Sequence, residues 1–162
     1  MTVETGSYKL IEIFDHKQAI RDYKACTEFK TSCQENNVKF TIKNATAEDR
    51  KNLVRIKVDS CLFDGSDSRL RCDYLFQFAD KFSCFVELKG TDIEHAVKQL
   101  QSSLQHIKTN GKRYAYVIAK NYKVPKIDAQ KKKWILDFKN KYNAAFDMKS
   151  LLMEKAIGNL GE

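Results

Sequence analysis

Val38, Phe40 and Ile42 alternate with Lys39, Thr41 and Lys43, and Val54, Ile56 and Val58 alternate with Arg55, Lys57 and Asp59. A period of two puts the apolar side chains of an extended segment on one face, so each run predicts a half-buried strand, the second reaching to Phe63. The polar stretch 44–52 between them predicts a turn with room for one helical turn. Upstream, Ala19, Ile20, Tyr23, Cys26 and Phe29 recur at three- and four-residue spacing, which predicts an amphipathic helix over 15–33 that Asn36 and Asn37 close. Residues 7–14 before it suit either a strand or a first helical turn. Downstream, 64–68 is a turn cluster, and two apolar runs at 72–78 and 82–90, joined by Ala79, Asp80 and Lys81, predict neighbouring strands.

Thr91 is the expected N-cap of the next helix, with Asp92 and Glu94 set against its dipole. Ile93, Ala96, Val97, Leu100, Leu104 and Ile107 form its apolar face, and Asn110-Gly111 ends it. A strand is predicted over 114–119 and a loop at Pro125. Residues 129–133 open a basic segment carrying Trp134, residues 138–146 read as strand or irregular, and 149–160 as a final helix. The pattern alone gives an α/β or α+β fold with a mixed sheet.

At 162 residues and 43% hydrophobic content the chain predicts one folded domain, 1–162. A formal charge of +8 favours a polyanionic partner, because neutralising phosphates dominates non-specific nucleic-acid binding. The five cysteines are odd in number and show no CxxC spacing, so they read as reduced, mostly buried thiols of a cytoplasmic protein. No apolar run approaches the roughly 20 residues of a membrane span, and no membrane partner is expected.

The chemistry concentrates at the ends of the two central strands. Glu87 and Lys89 share a strand face while Val86 and Leu88 point the other way, and Asp73 opens the preceding strand. Charged groups at the end of apolar strands are costly to bury unless paired or bound. Two convergent carboxylates suit a hard divalent cation, with phosphate oxygens and water completing its shell. A neighbouring lysine suits an attacking water or a phosphate that gains charge.

Asp73, a 13-residue gap and then Glu87-Leu88-Lys89 resembles the Asp…Glu-x-Lys core of the PD-(D/E)XK, restriction-endonuclease-like nuclease superfamily, with Cys72-Asp73 where the family often has Pro-Asp. The resemblance spans about residues 53–119. It implies an αβββαβ core, in an α/β (α+β) fold with a mixed central sheet of roughly four to six strands flanked by helices. It further implies a Mg²⁺- or Mn²⁺-dependent endonuclease acting on nucleic acid, DNA ahead of RNA, in phage defence, restriction or repair.

In that reading Asp73, Glu87 and the Leu88 backbone carbonyl hold the metal, and Lys89 and Gln99 complete the catalytic set. Glu28 is the natural third ligand from the first helix, with Glu12 and Glu35 behind it, and Asp59 at a strand end is a further option. Arg69, Arg71, Lys131, Lys132 and Lys133 are the expected nucleic-acid contacts, and Tyr114, Tyr116, Tyr122 and Trp134 the aromatic groups available for base stacking. A homodimer, or a subunit of a larger complex, would supply two sites for two strands. The alternative is a catalytically inactive module of the same fold that binds nucleic acid or a protein partner; the third is an interaction protein in which Glu87 and Lys89 are ordinary surface residues.

Overall fold

The computed structural model describes residues 4–5, 8–9, 26–62, 68–121 and 124–161, with 4–5, 8–9 and 124–126 defined by backbone alone. Strands β1 (Glu4–Thr5) and β2 (Tyr8–Lys9) form a separate antiparallel pair. Of the helix expected over 15–33, residues 15–25 and with them Glu12 upstream lie outside the described residues, and the remainder is not α-helical. It forms β3 (Thr27–Glu28) and β4 (Ser32–Glu35). Tertiary pairing overrides the helical spacing here: β3 pairs with a central strand, and β4 forms a hairpin with β5 (Val38–Lys43). Glu35 faces Val38 in that hairpin, so Asn36 and Asn37 are its two-residue loop, both at positive φ (47° and 68°). Paired asparagines suit a type I′ hairpin turn.

The polar stretch that follows folds as α1 (Ala47–Asn52), started by a capping box in which Thr46 and Asp49 exchange side-chain to backbone hydrogen bonds. Strand β6 (Leu53–Lys57) is shorter than its alternation predicts, because Val58–Leu62 curls into a turn with Ser60 at φ 63°. Phe63 lies outside the described residues. Strands β7 (Tyr74–Phe78) and β8 (Phe82–Lys89) are the expected antiparallel neighbours. Helix α2 (Ile93–His106) is capped by Asp92, which accepts from the His95 N–H, rather than by Thr91. Strand β9 (Lys112–Ala119) then runs parallel to β8.

The C-terminal third departs furthest from the pattern. Pro125 does not mark a loop. It lies in the first turn of a 19-residue helix, α3 (Val124–Tyr142), where its missing N–H has no intrahelical partner to lose. Instead of a final helix over 149–160, β10 (Ala144–Ser150) and β11 (Leu152–Ala156) precede one short turn of helix, α4 (Ile157–Leu160). Parallel pairing of β10 with β9 and of β11 with β5 wins over local preference.

The main sheet has six strands in the order β10-β9-β8-β7-β6-β3, mixed in direction. Helices α2 and α3 cover one face, where Ile93, Val97, Leu100, Trp134 and Phe138 share a core with Val54, Ile56, Leu75 and Phe85. The other face is covered by the small sheet β11-β5-β4, whose Phe40, Ile42 and Met153 pack on Phe76, Phe82, Val86 and Tyr116. Phe85 and Val86 therefore serve opposite cores, and by alternation Glu87 and Lys89 belong to the helical face. No helix among the described residues is long and apolar enough to cross a membrane.

Cys33, Cys72 and Cys84 are free and buried, but Cys26 and Cys61 are joined in a disulfide, contrary to the expectation of reduced thiols throughout. Spacing along the chain carried no sign of this pair. It ties the turn after β6 to the segment entering β3, 35 residues upstream.

Candidate active site

Register brings the two carboxylates together. Tyr74 faces Val86 across the β7–β8 ladder, so the residues next in line, Asp73 and Glu87, meet where the ladder ends. Each then binds the backbone of the other's strand. The Asp73 N–H donates to Glu87 Oε2 at 3.0 Å, and the Leu88 N–H donates to Asp73 Oδ2 at 2.8 Å. Glu87 is 2% exposed, one of only four buried polar or charged residues among those described. Asp73 reaches a cavity of about 180 Å³, whose lining also includes Glu35, Lys57, Asp59, Ser60 and Tyr74.

Burial is the main force on both carboxyls. It raises Glu87, helped by the Asp73 charge and opposed by Lys89, to a pKa of about 9. It raises Asp73 to about 6, against the stabilising Leu88 N–H and with Glu35 and Asp59 adding repulsion. Both ionised forms lack sufficient positive charge in their surroundings.

The cation beside Glu87 is Lys89. Its ammonium donates to Gln99 Oε1 at 3.0 Å and lies 3.8 Å from Glu87 Oε1. Gln99 faces inward from α2, and its Nε2 donates to the Arg71 carbonyl at 3.0 Å. One turn further along α2, Ser103 accepts the Cys72 N–H at 2.7 Å. The helix thus grips the strap leading into Asp73 at two successive residues while it aims Lys89. Ser103, buried at 3%, escaped the sequence reading. Its signal is the four-residue spacing from Gln99, which puts both on one helical face.

Glu28 lies elsewhere. It stands on a strand instead of a helix, paired with Arg55 and Lys30 at 2.8 Å each, and it does not line the cavity beside Asp73. Glu35 and Asp59 do line it. Arg71 turns toward Asp59, its Nε 3.9 Å from Oδ1 with the side chain 15% exposed, and Arg69 is half-buried.

The aromatic groups expected to stack on bases are largely core. Tyr116 is 3% exposed and Trp134 9%, and the Tyr114 hydroxyl donates to the Leu160 carbonyl. Tyr122 lies outside the described residues. The three lysines on α3 also separate: Lys131 pairs with Asp147 at 2.9 Å, whereas Lys132 and Lys133 are exposed. Neutralising Lys132 and Lys133 is therefore expected to flatten the salt dependence of nucleic-acid binding, by roughly 0.9 in log–log slope for each duplex phosphate left without its lysine, while Lys131→Ala leaves the slope unchanged. Affinity for one duplex at several salt concentrations checks this, and an unchanged slope for the first pair removes them from the binding path.

Among the described residues no group of three or more His, Cys, Asp and Glu side chains is gathered as a metal cluster. The donor set nevertheless fits Mg²⁺ or Mn²⁺, which take one or two carboxylates and fill the rest with water and phosphate oxygens. Asp73 Oδ1 and Glu87 Oε1 are the oxygens not engaged with the β7–β8 backbone amides. An ion shared by these two carboxyls would offset the repulsion and burial that drive protons onto them. Compared with protein-family models, with curated proteins and with solved structures, the chain matches none.

Proposed function

We propose that this protein is a metal-dependent nuclease of the PD-(D/E)XK type, hydrolysing phosphodiester bonds in nucleic acid, DNA ahead of RNA. The observation that carries the reading is the reciprocal bonding of Asp73 and Glu87 at the end of two buried strands, beside a lysine that the following helix holds in place. The order of β6, β7, β8, α2 and β9, with β9 parallel to β8, supports it as the βββαβ portion of the core that the resemblance implies.

Asp73 and Glu87, with the Leu88 backbone carbonyl, would hold Mg²⁺ or Mn²⁺. When bound, the ion would supply a Lewis acid for the phosphate and lower the pKa of water. Gln99 takes one of the three N–H donors of Lys89, which leaves donors for the attacking water or a phosphate oxygen. The backbone bonds between Asp73 and the Glu87–Leu88 segment keep both carboxyls fixed, so little reorganisation accompanies reaction.

The test is cleavage of duplex and single-stranded DNA and of RNA with the divalent ion varied. Mg²⁺ or Mn²⁺ is expected to support turnover and Ca²⁺ to bind without it, because a larger, loosely coordinated ion holds water and phosphate in poorer geometry. Full cleavage in EDTA overturns the proposal. Metal and nucleic-acid binding without cleavage by any ion returns the protein to a non-catalytic module.

A further inference from the structure

Leu151 links the two sheets. Its N–H donates to the Ala119 carbonyl at 3.0 Å and its carbonyl accepts the Lys39 N–H at 2.8 Å, where the chain leaves β10 in the main sheet and enters β11 in the small one. The junction needs φ 62°, a left-handed conformation that disfavours a bulky side chain and suits Gly or Asn. Either would make both backbone bonds. Leu151 is 50% exposed and Leu152 43% exposed, so core packing does not offset the strain.

The corner sits at the same end of the sheet as the candidate active site. Ala119 lies opposite both Ser150 on β10 and Lys89 on β8, which places Leu151 about two strand spacings, roughly 10 Å, from Lys89. Three exposed lysines surround it: Lys39 opposite Leu152, Lys120 after Ala119, and Lys149 two residues before Leu151. The structure gives none of the three an ion pair with a described residue, while the carboxylates on β10 and β11 are already matched, Asp147 with Lys131 and Lys155, and Glu154 with Lys43.

An apolar tip ringed by uncompensated lysines fits a polyanion that also offers an apolar face, which is nucleic acid with an uncovered base. We propose that the Leu151 corner seats against the unpaired base at a gap or flap while Lys39, Lys120 and Lys149 take the flanking phosphates. A separation of about 10 Å from Lys89 matches about three base steps of 3.4 Å. The inference rests on the nuclease reading and names the form of substrate taken.

Leu151→Gly tests it, because this change removes the side chain while relieving the backbone, so the thermal midpoint should hold or rise. Affinity is measured in EDTA, without cleavage, for a short blunt duplex and for the same duplex carrying a single-stranded flap. The variant is expected to bind the flap substrate about tenfold more weakly, to bind the blunt duplex as before, and to keep its salt slope. Lys120→Ala and Lys149→Ala should each lower the slope on both substrates, by roughly 0.9 where a duplex phosphate is no longer neutralised. Unchanged flap affinity in Leu151→Gly overturns the proposal, as does an equal loss on both substrates with a lowered midpoint. A wild-type protein that prefers the flap yet cleaves nothing with Mn²⁺ leaves the corner standing and sinks the nuclease reading. One that binds neither substrate sinks both.

Discussion

Asp73→Asn and Glu87→Gln are each expected to lower phosphodiester cleavage by at least about 10³-fold while the chain stays folded. The amides are the informative changes because each carboxylate also has a structural task. Glu87 accepts the Asp73 N–H and Asp73 accepts the Leu88 N–H, so alanine at either site would leave a partly buried backbone donor without its acceptor. An amide oxygen keeps that bond and deletes the charge. Lys89→Ala should cost a similar factor, since its ammonium donates to Gln99 and lies 3.8 Å from Glu87 Oε1, which holds the charge beside the carboxyls. Groups that act as one unit are non-additive, so the double amide variant should cleave no more slowly than the worse single one. Single-turnover rates with Mn²⁺, alongside thermal midpoints, provide the check. Near wild-type cleavage by Glu87→Gln would remove this pair from the chemistry.

Why the sequence exposed this site so clearly is a matter of period. Glu87 interrupts the apolar run of β8, in which Phe85 and Val86 serve different cores, and a carboxylate there stands out. The following helix was equally legible, since its apolar stripe survives intact as its buried face. Legibility failed where long-range pairing overrode a local signal. The segment 26–35 carries helical spacing, yet its fate is set by β6, by β5 and by a disulfide to Cys61, none of them near in sequence. At 149–160 the chain crosses between sheets at Leu151, and no periodicity describes a segment whose two halves face different partners. Glu28 shows the same override: the third-ligand role implied for it rests on a first helix, whereas the residue stands on strand β3. Lys131 shows the other limit, because adjacent lysines on a helix point in different directions and only their tertiary neighbours decide which is paired.

Thermal stability without divalent metal is expected to fall as the pH rises from about 5 to 8, against the usual trend for carboxylates. The sign follows from the direction of the shifts. Burial raises Glu87 from 4.5 to about 9 and Asp73 from 3.8 to about 6, so across this window the folded chain retains protons that the unfolded chain has shed. Stability falls with pH wherever the folded state binds more protons, and this contribution is fully present only below the unfolded values. Asp147 works in the opposite sense and in another window. Burial pushes it up, but hydrogen bonds from Lys155 and Lys131 outweigh that and lower it, so its contribution is lost only as the pH falls below 3.8. Mn²⁺ should reverse the fall at pH 8 by binding the ionised pair in the folded state alone. At an ion concentration 100 times Kd the gain is about 2.7 kcal/mol, or roughly 5–10 °C for a domain of this size. At pH 5 protons compete for the same oxygens, and the gain should shrink. Glu87→Gln should flatten the pH dependence and remove most of the Mn²⁺ response together, because one carboxyl underlies both. Midpoints recorded at pH 5 and pH 8, with and without Mn²⁺, for both proteins decide the matter: a wild-type midpoint that neither falls with pH nor responds to Mn²⁺ at pH 8 would show that Asp73 and Glu87 do not form a metal-binding pair.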